Sequence, residues 1–231
     1  MQKVKAIFIS HEHTDHTRGS EAISRKYRIP VYISAGSHKN SRLNFENELV
    51  KFLTPYEAVN IGKLQVTAFP KKHDAAEPMS FVVTSDKVTA GVFTDIGSAC
   101  EHVTSNFSKC HAAFLESNYD EEMLENGSYP VYLKNRIRSE HGHLSNHQSL
   151  EIFLKHRSPS LSHLLLSHLS QDNNHPRVVL DLFQKYANGT QIAIASRHRE
   201  SLVYQVTGTF CADEQSISSA FQENYVQAKL F

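Results

Sequence analysis

His11-Glu12-His13-Thr14-Asp15-His16 stands directly behind the apolar run Val4-Lys5-Ala6-Ile7-Phe8-Ile9-Ser10. The run reads as a buried-type β-strand over residues 4–10. Side chains two apart in an extended segment point the same way, so His11 and His13 reach one metal ion together. Asp15 and His16 fall where the strand turns into a helix, expected over 17–28, and point elsewhere, toward a second ion close by. A solvated polar loop is the plain alternative, but such a loop has little use for three imidazoles.

Further ligands are expected at the ends of other strands, where a sheet edge converges on one place. His73 follows Thr67-Ala68-Phe69-Pro70, Asp95 ends the strand expected over 90–94 and precedes the turn Ile96-Gly97, and His168 ends Leu164-Leu165-Leu166-Ser167. Taken singly, either histidine reads as a surface-loop residue and Asp95 as a turn or helix cap. Together the seven make a two-metal arrangement: His11, His13 and His73 on one ion, Asp15, His16 and His168 on the other, with Asp95 bridging. Nitrogen-rich ligands with carboxylates suit Zn²⁺, and Mn²⁺ or Fe²⁺ are compatible by ligand type. Two ions about 3.5–4 Å apart can share a hydroxide and clamp both attacking and leaving oxygens. With only two ligand carboxylates the site stays positive, which favours an anionic phosphodiester over a neutral lactam. Asp15 can both ligate and orient the attacking hydroxide.

The rest of the chain sets the frame. Its 231 residues carry 24 basic and 24 acidic side chains, which argues against wholesale electrostatic capture of polynucleotide but leaves room for a local basic groove. Cys100, Cys110 and Cys211 form no paired motif and read as free thiols of a reducing compartment. No leader-like start and no apolar run of bilayer length is visible, so a soluble cytoplasmic protein without membrane association is expected. No repeat or linker divides the chain, and one domain over 1–231 is expected. Strands are expected at 31–34, 64–69, 81–85, 88–94, 112–116, 161–167, 191–195 and 201–206. Helices are expected at 42–53, 98–107, 121–125, 130–138, from 145, and at 176–186, with Ala22, Ile23 and Tyr27 on the apolar side of helix 17–28. Strands first, then alternating strands and helices, imply layered α/β packing with helices outside sheets.

The HxHxDH signature resembles the metallo-β-lactamase superfamily, with the later ligands in that family's order. Lys72-His73-Asp74-Ala75-Ala76-Glu77-Pro78, Thr94-Asp95-Ile96-Gly97, Leu115-Glu116-Ser117-Asn118, Gly142-His143-Leu144-Ser145-Asn146 and His168-Leu169-Ser170-Gln171-Asp172-Asn173-Asn174 are similar to its YycJ/WalJ branch of bacterial cytoplasmic hydrolases. The resemblance implies a four-layer αββα sandwich, two divalent ions, and exonuclease action on nucleic acid, specifically DNA. It also implies that His143 donates a proton or hydrogen bond at the leaving oxygen, oriented by Glu116. Packing and salt-bridge roles are the plain alternatives for these two. Lys134 and Arg138 would share a helix face as a phosphate track, joined by Arg136, while Asn173 and Asn174 would contact phosphate or base; a solvated face and simple turns are the alternatives. His141 and His147, and His38, His102, His111, His156, His163, His175 and His198, are read as non-ligands. A small-molecule hydrolase on the same fold, such as a cyclic phosphodiesterase, thioesterase or lactonase, is the competing function. The superfamily normally places two or more strands ahead of HxHxDH, and here ten residues precede it. An N-terminally shortened sandwich with an uncovered sheet edge is therefore expected, and such an edge invites pairing with another chain; the oligomeric state stays open.

Overall fold

The computed structural model describes residues 3–208. Three short strands, β1 (Ile7–Phe8), β2 (Val31–Ile33) and β3 (Val50–Phe52), form a parallel sheet in that order. Helices α1 (Thr14–Thr17) and α2 (Ser20–Tyr27) link the first pair, and α3 (Ala35–Asn40) with a 3-10 turn at Asn47–Leu49 links the second. Among the described residues β1 has β2 as its only strand partner.

The larger sheet has seven strands: β4 (Ala58–Ile61), β5 (Leu64–Pro70), β6 (Met79–Ser85), β7 (Val88–Phe93), β8 (Ala112–Glu116), β9 (His163–Ser167) and β10 (Gln191–Ile194), lying in the order β10-β9-β8-β7-β6-β5-β4. Strands β4 to β7 pair antiparallel, and β7 to β10 pair parallel. The parallel crossovers carry α4 (Glu101–Phe107), then α5 (Glu121–Asn126), α6 (Val131–Arg138) and α7 (Asn146–His156), and last α8 (Pro176–Gln184). Strand β9 reads as a nearly unbroken apolar run because both of its faces are covered, whereas β8 leaves Phe114 exposed.

Strand β5 shows how the layers are made. Val66 and Ala68 join Leu53, Met79, Phe81, Phe8 and Tyr32 between the two sheets, while Phe69 joins a larger cluster on the opposite face. That cluster takes Val103 and Phe107 from α4, Ile152 and Phe153 from α7, and Val179 and Phe183 from α8. A third cluster of Ile9, Val31, Ile33 and Phe45 lies against the small sheet.

Several local expectations fail for identifiable reasons. Residues 42–53 are not a helix: Leu43 and Phe45 reach the same cluster from an irregular segment, which a helix would forbid by turning them to different sides. Helix α2 buries Ser20 and Ser24, whose hydroxyls donate to Thr17 O and Ile29 O, and leaves Ala22 and Tyr27 exposed. Helix α3 carries no apolar periodicity and rests on its N-cap, where Ser34 Oγ accepts from Ser37 N. Strand β4 is a half-exposed edge strand that an alternation search passes over. Residues 201–206 are not a strand, and Leu202 and Val203 are exposed. Cys100 and Cys110 are free thiols, whereas Cys211 lies outside the described residues.

Candidate metal centre

Because β5 and β7 each run antiparallel to β6, they point the same way, and β8 and β9 run with them. Their C-terminal ends therefore share one sheet edge, from which His73, Asp95, Glu116 and His168 emerge. The small sheet is tied to that edge by Met79 N donating to Ser10 O at 2.8 Å, which brings His11 alongside. The extended backbone of His13 caps α1, so Asp15 and His16 sit on a helical turn and depart from the His11–His13 direction. Asp95 and His168 each adopt a left-handed backbone, φ 54° and 56°, conformations that non-glycine residues rarely take and that recur at functional sites.

Seven side chains meet in consequence. The ligand atoms of His11, His13 and His73 lie within 4.8 Å of one another, and so do those of Asp15, His16 and His168. Asp95 stands between the two groups: its Oδ2 is 3.1 Å from His16 Nε2, and its Oδ1 is 3.8 Å from His73 Nε2 and 3.4 Å from His168 Nε2. His16 Nε2, His73 Nε2 and Asp95 Oδ2 are buried and aligned into no hydrogen bond, although His16 Nε2 and Asp95 Oδ2 lie 3.1 Å apart. Buried polar atoms of this kind are costly unless something satisfies them. Imidazole nitrogens and a carboxylate converging on one point fit two divalent cations.

The electrostatics hold two of the imidazoles neutral, the form that binds metal, and one of them cationic. Burial, aided by Lys71 and His16, pulls the pKa of His11 down to about 2, and burial pulls that of His73 to about 4, so both imidazoles are neutral as a ligand must be. Burial opposes charge on Asp95, but the nearby His16, His168 and Lys71 hold its carboxyl far below the usual range. Burial likewise opposes charge on His168, yet Glu116 and Asp95 outweigh it and lift the pKa to about 9. Lys71, unremarked in the sequence, is buried here, and burial lowers its ammonium to about 8.

Behind the seven side chains lie groups that hold some of them in place. Glu116 is 0 % exposed; its Oε1 accepts from His143 Nδ1 and His168 Nδ1, each at 2.8 Å, and its Oε2 accepts from Ile96 N at 2.6 Å. One carboxylate thus orients His143 and His168 and braces the backbone next to Asp95. The expectation from sequence reached only the first of these. The His143 ring sits 5.3 Å from those of both His73 and His168. Gly142 permits the preceding turn, because a Cβ there would collide with the Ile137 carbonyl, and its own carbonyl accepts from His73 Nδ1 at 3.1 Å. Asn118 Nδ2 donates to His168 O at 2.9 Å.

The four residues expected to touch substrate fare differently. Asn173 and Asn174 are turned inward, 1 % and 4 % exposed. Asn174 Nδ2 donates to Ser117 O and to Asn146 Oδ1, each at 2.8 Å, and so ties loops together, while the Asn173 backbone carbonyl accepts from Asp120 N and its side-chain Nδ2 is buried without a hydrogen-bond partner. Lys134 and Arg138 do share a face of α6, but Lys134 donates to Glu125 O and Arg138 pairs with the Glu125 carboxylate. Arg136 reaches the site edge, its Nε 2.6 Å from Asp74 Oδ2, while Asp74 Oδ1 lies 3.3 Å from His73 Nε2. His147 pairs with Glu121 at the surface and His141 is exposed. His143 joins Asp95, Glu116 and His168 in a further group whose ligand atoms lie within 4.8 Å of one another, and among the described residues no histidine besides His11, His13, His16, His73, His143 and His168 joins such a group.

The model for the β-lactamase superfamily domain matches residues 1–169. The chain belongs to that superfamily. Among curated relatives it is 31% identical over 176 residues to the exodeoxyribonuclease YycJ of Bacillus anthracis, a match covering 74% of this chain and 66% of the relative. It is 28% identical over 178 residues to the exodeoxyribonuclease WalJ of Streptococcus pneumoniae, covering 75% and 66%. The chain thus spans about two thirds of the length of these relatives. Solved structures of the same fold include the metallo-β-lactamase fold protein YhfI of Bacillus subtilis (TM-score 0.62, 18% identity, 84% of this chain and 76% of that one) and Zn²⁺-bound PqqB of Methylobacterium extorquens (0.61, 13%, 83% and 70%). No helix among the described residues is long and apolar enough to cross a membrane.

Proposed function

We propose that the protein is a metal-dependent phosphodiesterase that cuts nucleic acid, with DNA as substrate and exonucleolytic action as its mode. The observation that carries this reading is the Glu116–His143 pair standing beside a centre fit for two cations. His11, His13 and His73 would hold one ion, Asp15, His16 and His168 the other, with Asp95 between. Bound divalent ions, with zinc the best match to the donor set, would supply an activated water and charge neutralisation on a phosphate.

The chain's own groups divide the remaining work. Glu116 accepts from Nδ1 of His143, which leaves the opposite ring nitrogen for a proton or hydrogen bond to the leaving oxygen. Asp15 is exposed beside His16, where its free oxygen can orient an attacking water. The exodeoxyribonuclease names of the relatives YycJ and WalJ support nucleic acid as the polymer. One observation favours a smaller phosphodiester instead: Glu125 engages both Lys134 and Arg138, leaving a weaker phosphate track on α6 than the sequence promised.

Cleavage of an end-labelled DNA duplex tests the proposal. Wild-type protein with added zinc or manganese should shorten it from an end, and Asp95→Ala and His168→Ala should not. Full activity in both variants would overturn the metal role. Turnover of bis(p-nitrophenyl) phosphate without any cleavage of DNA would leave the smaller substrate class standing.

A further inference from the structure

Lys71 is a buried cation packed against the centre, as Glu116 is a buried anion there, and it is not among the seven candidate ligands. Its side chain is 1 % exposed, its Nζ donates to Thr94 O at 2.7 Å, and the same atom is 4.0 Å from Asp95 Oδ2. Asp95 needs support from its surroundings. It holds a left-handed backbone at φ 54°, and such a conformation persists only where neighbouring contacts over-determine it. Three contacts do so. Lys71 takes the carbonyl just before Asp95, Glu116 Oε2 takes the amide of Ile96 just after it, and Lys72 O accepts from Gly97 N at 2.7 Å. Two of the three come from the loop that also carries His73.

We propose that Lys71 is a positioning residue, a buried cation that fixes the backbone and carboxylate of Asp95 in the pose from which they can hold two ions. This rests on the metal-centre reading above. The three imidazole nitrogens facing Asp95 belong to His16, His73 and His168, all of them candidate ligands. Once those nitrogens are committed to metal, none carries a proton toward the carboxylate. Lys71 then remains as the cationic donor holding this part of the chain.

Lys71→Met has the same reach and neither charge nor donor, and it separates positioning from simple support. Removing one partner of a buried charge contact leaves the Asp95 carboxylate and the Thr94 carbonyl short of a donor, so the metal-free variant should melt below the wild-type temperature yet stay folded under the assay conditions. Its zinc should also be lost about 10- to 100-fold faster to a colorimetric chelator, the usual cost of removing a group that orients ligands. Zinc release at the wild-type rate or slower would overturn the proposal. A lower melting temperature with wild-type zinc release would also overturn it, since Lys71 would then be structural support alone. Should the methionine variant fail to fold, Lys71→Gln is read in the same way. Failure of the wild-type protein to take up zinc would sink the metal-centre reading itself, a result distinct from any difference between variants.

Discussion

Glu116→Gln tests the shell behind the metal ligands with little change of shape. The native carboxylate accepts three hydrogen bonds, two from imidazoles at 2.8 Å and one from a backbone amide at 2.6 Å, in a place without solvent. A glutamine amide cannot accept at both ends. If its nitrogen turns toward the imidazoles, two N–H groups lose their acceptor; if it turns toward Ile96, one backbone N–H does. The second arrangement is cheaper and costs about 1–3 kcal/mol for a stranded buried donor, partly offset because a neutral group is easier to bury than a carboxylate. Stability should therefore fall modestly. Function should fall further, because His143 and His168 lose the charge that fixes their tautomer, and orienting groups of this kind are worth about 10- to 100-fold. Turnover of bis(p-nitrophenyl) phosphate at saturating zinc should drop by about 100-fold, read together with a melting curve. Activity within about threefold of wild type, with zinc retained, would refute the assignment of Glu116 as the common anchor.

Three further outcomes follow from the same geometry. Asn174→Ala removes donors to Ser117 O, Asn118 O and Asn146 Oδ1 and should lower stability in urea by about 2–4 kcal/mol, while KM of the surviving folded enzyme stays unchanged; an unaltered urea midpoint with a raised KM would restore a substrate contact. The metal-free protein should be most stable near pH 6.5. His11 and His73 have folded pKa values of about 2 and 4, below the unfolded 6.5, so the unfolded state binds more protons as pH falls and stability drops by about 1.4 kcal/mol per pH unit for each. His168 acts oppositely: its folded pKa of about 9 adds stability that is complete below 6.5 and lost as pH rises through 9, so melting temperatures that climb steadily from pH 5 to 9 would contradict these environments. Phe153→Ala in the core beneath the large sheet should cost about 3–5 kcal/mol in denaturant without changing zinc stoichiometry, and loss of zinc from a still-folded variant would show that the centre depends on that packing.

The convergence of the seven nominated residues was legible because His73, Asp95 and His168 follow strands whose apolar pattern is itself readable, and His11, His13, Asp15 and His16 follow β1 within a few residues. Sequence gives the strand, its last residue gives the address, and parallel neighbours bring the addresses together. The supporting residues were harder. Lysine is so commonly a surface residue that nothing in Pro70-Lys71-Lys72-His73 separates the buried Lys71 from the exposed Lys72. Asn173 and Asn174 follow a ligand in a loop, and whether an amide faces inward or outward depends on contacts with Ser117, Asn118 and Asn146 from remote parts of the chain. Residues 42–53 misled because Phe45, Leu49 and Leu53 recur every four positions, a helical spacing, although an irregular segment, a 3-10 turn and the residue after β3 deliver them. Glu116 was placed at its strand end correctly, but its second imidazole partner became visible only once β8 and β9 were paired with Glu116 opposite Ser167.

Elemental mass spectrometry of the full chain, loaded with zinc and then dialysed, bears most directly on the claim that seven distant residues converge to hold a pair of cations. The account predicts two ions per chain in the wild-type protein, and about one in His168→Ala, which leaves His11, His13 and His73 together. Fewer than one ion in the wild type, or two ions retained by the His168 variant, would contradict it.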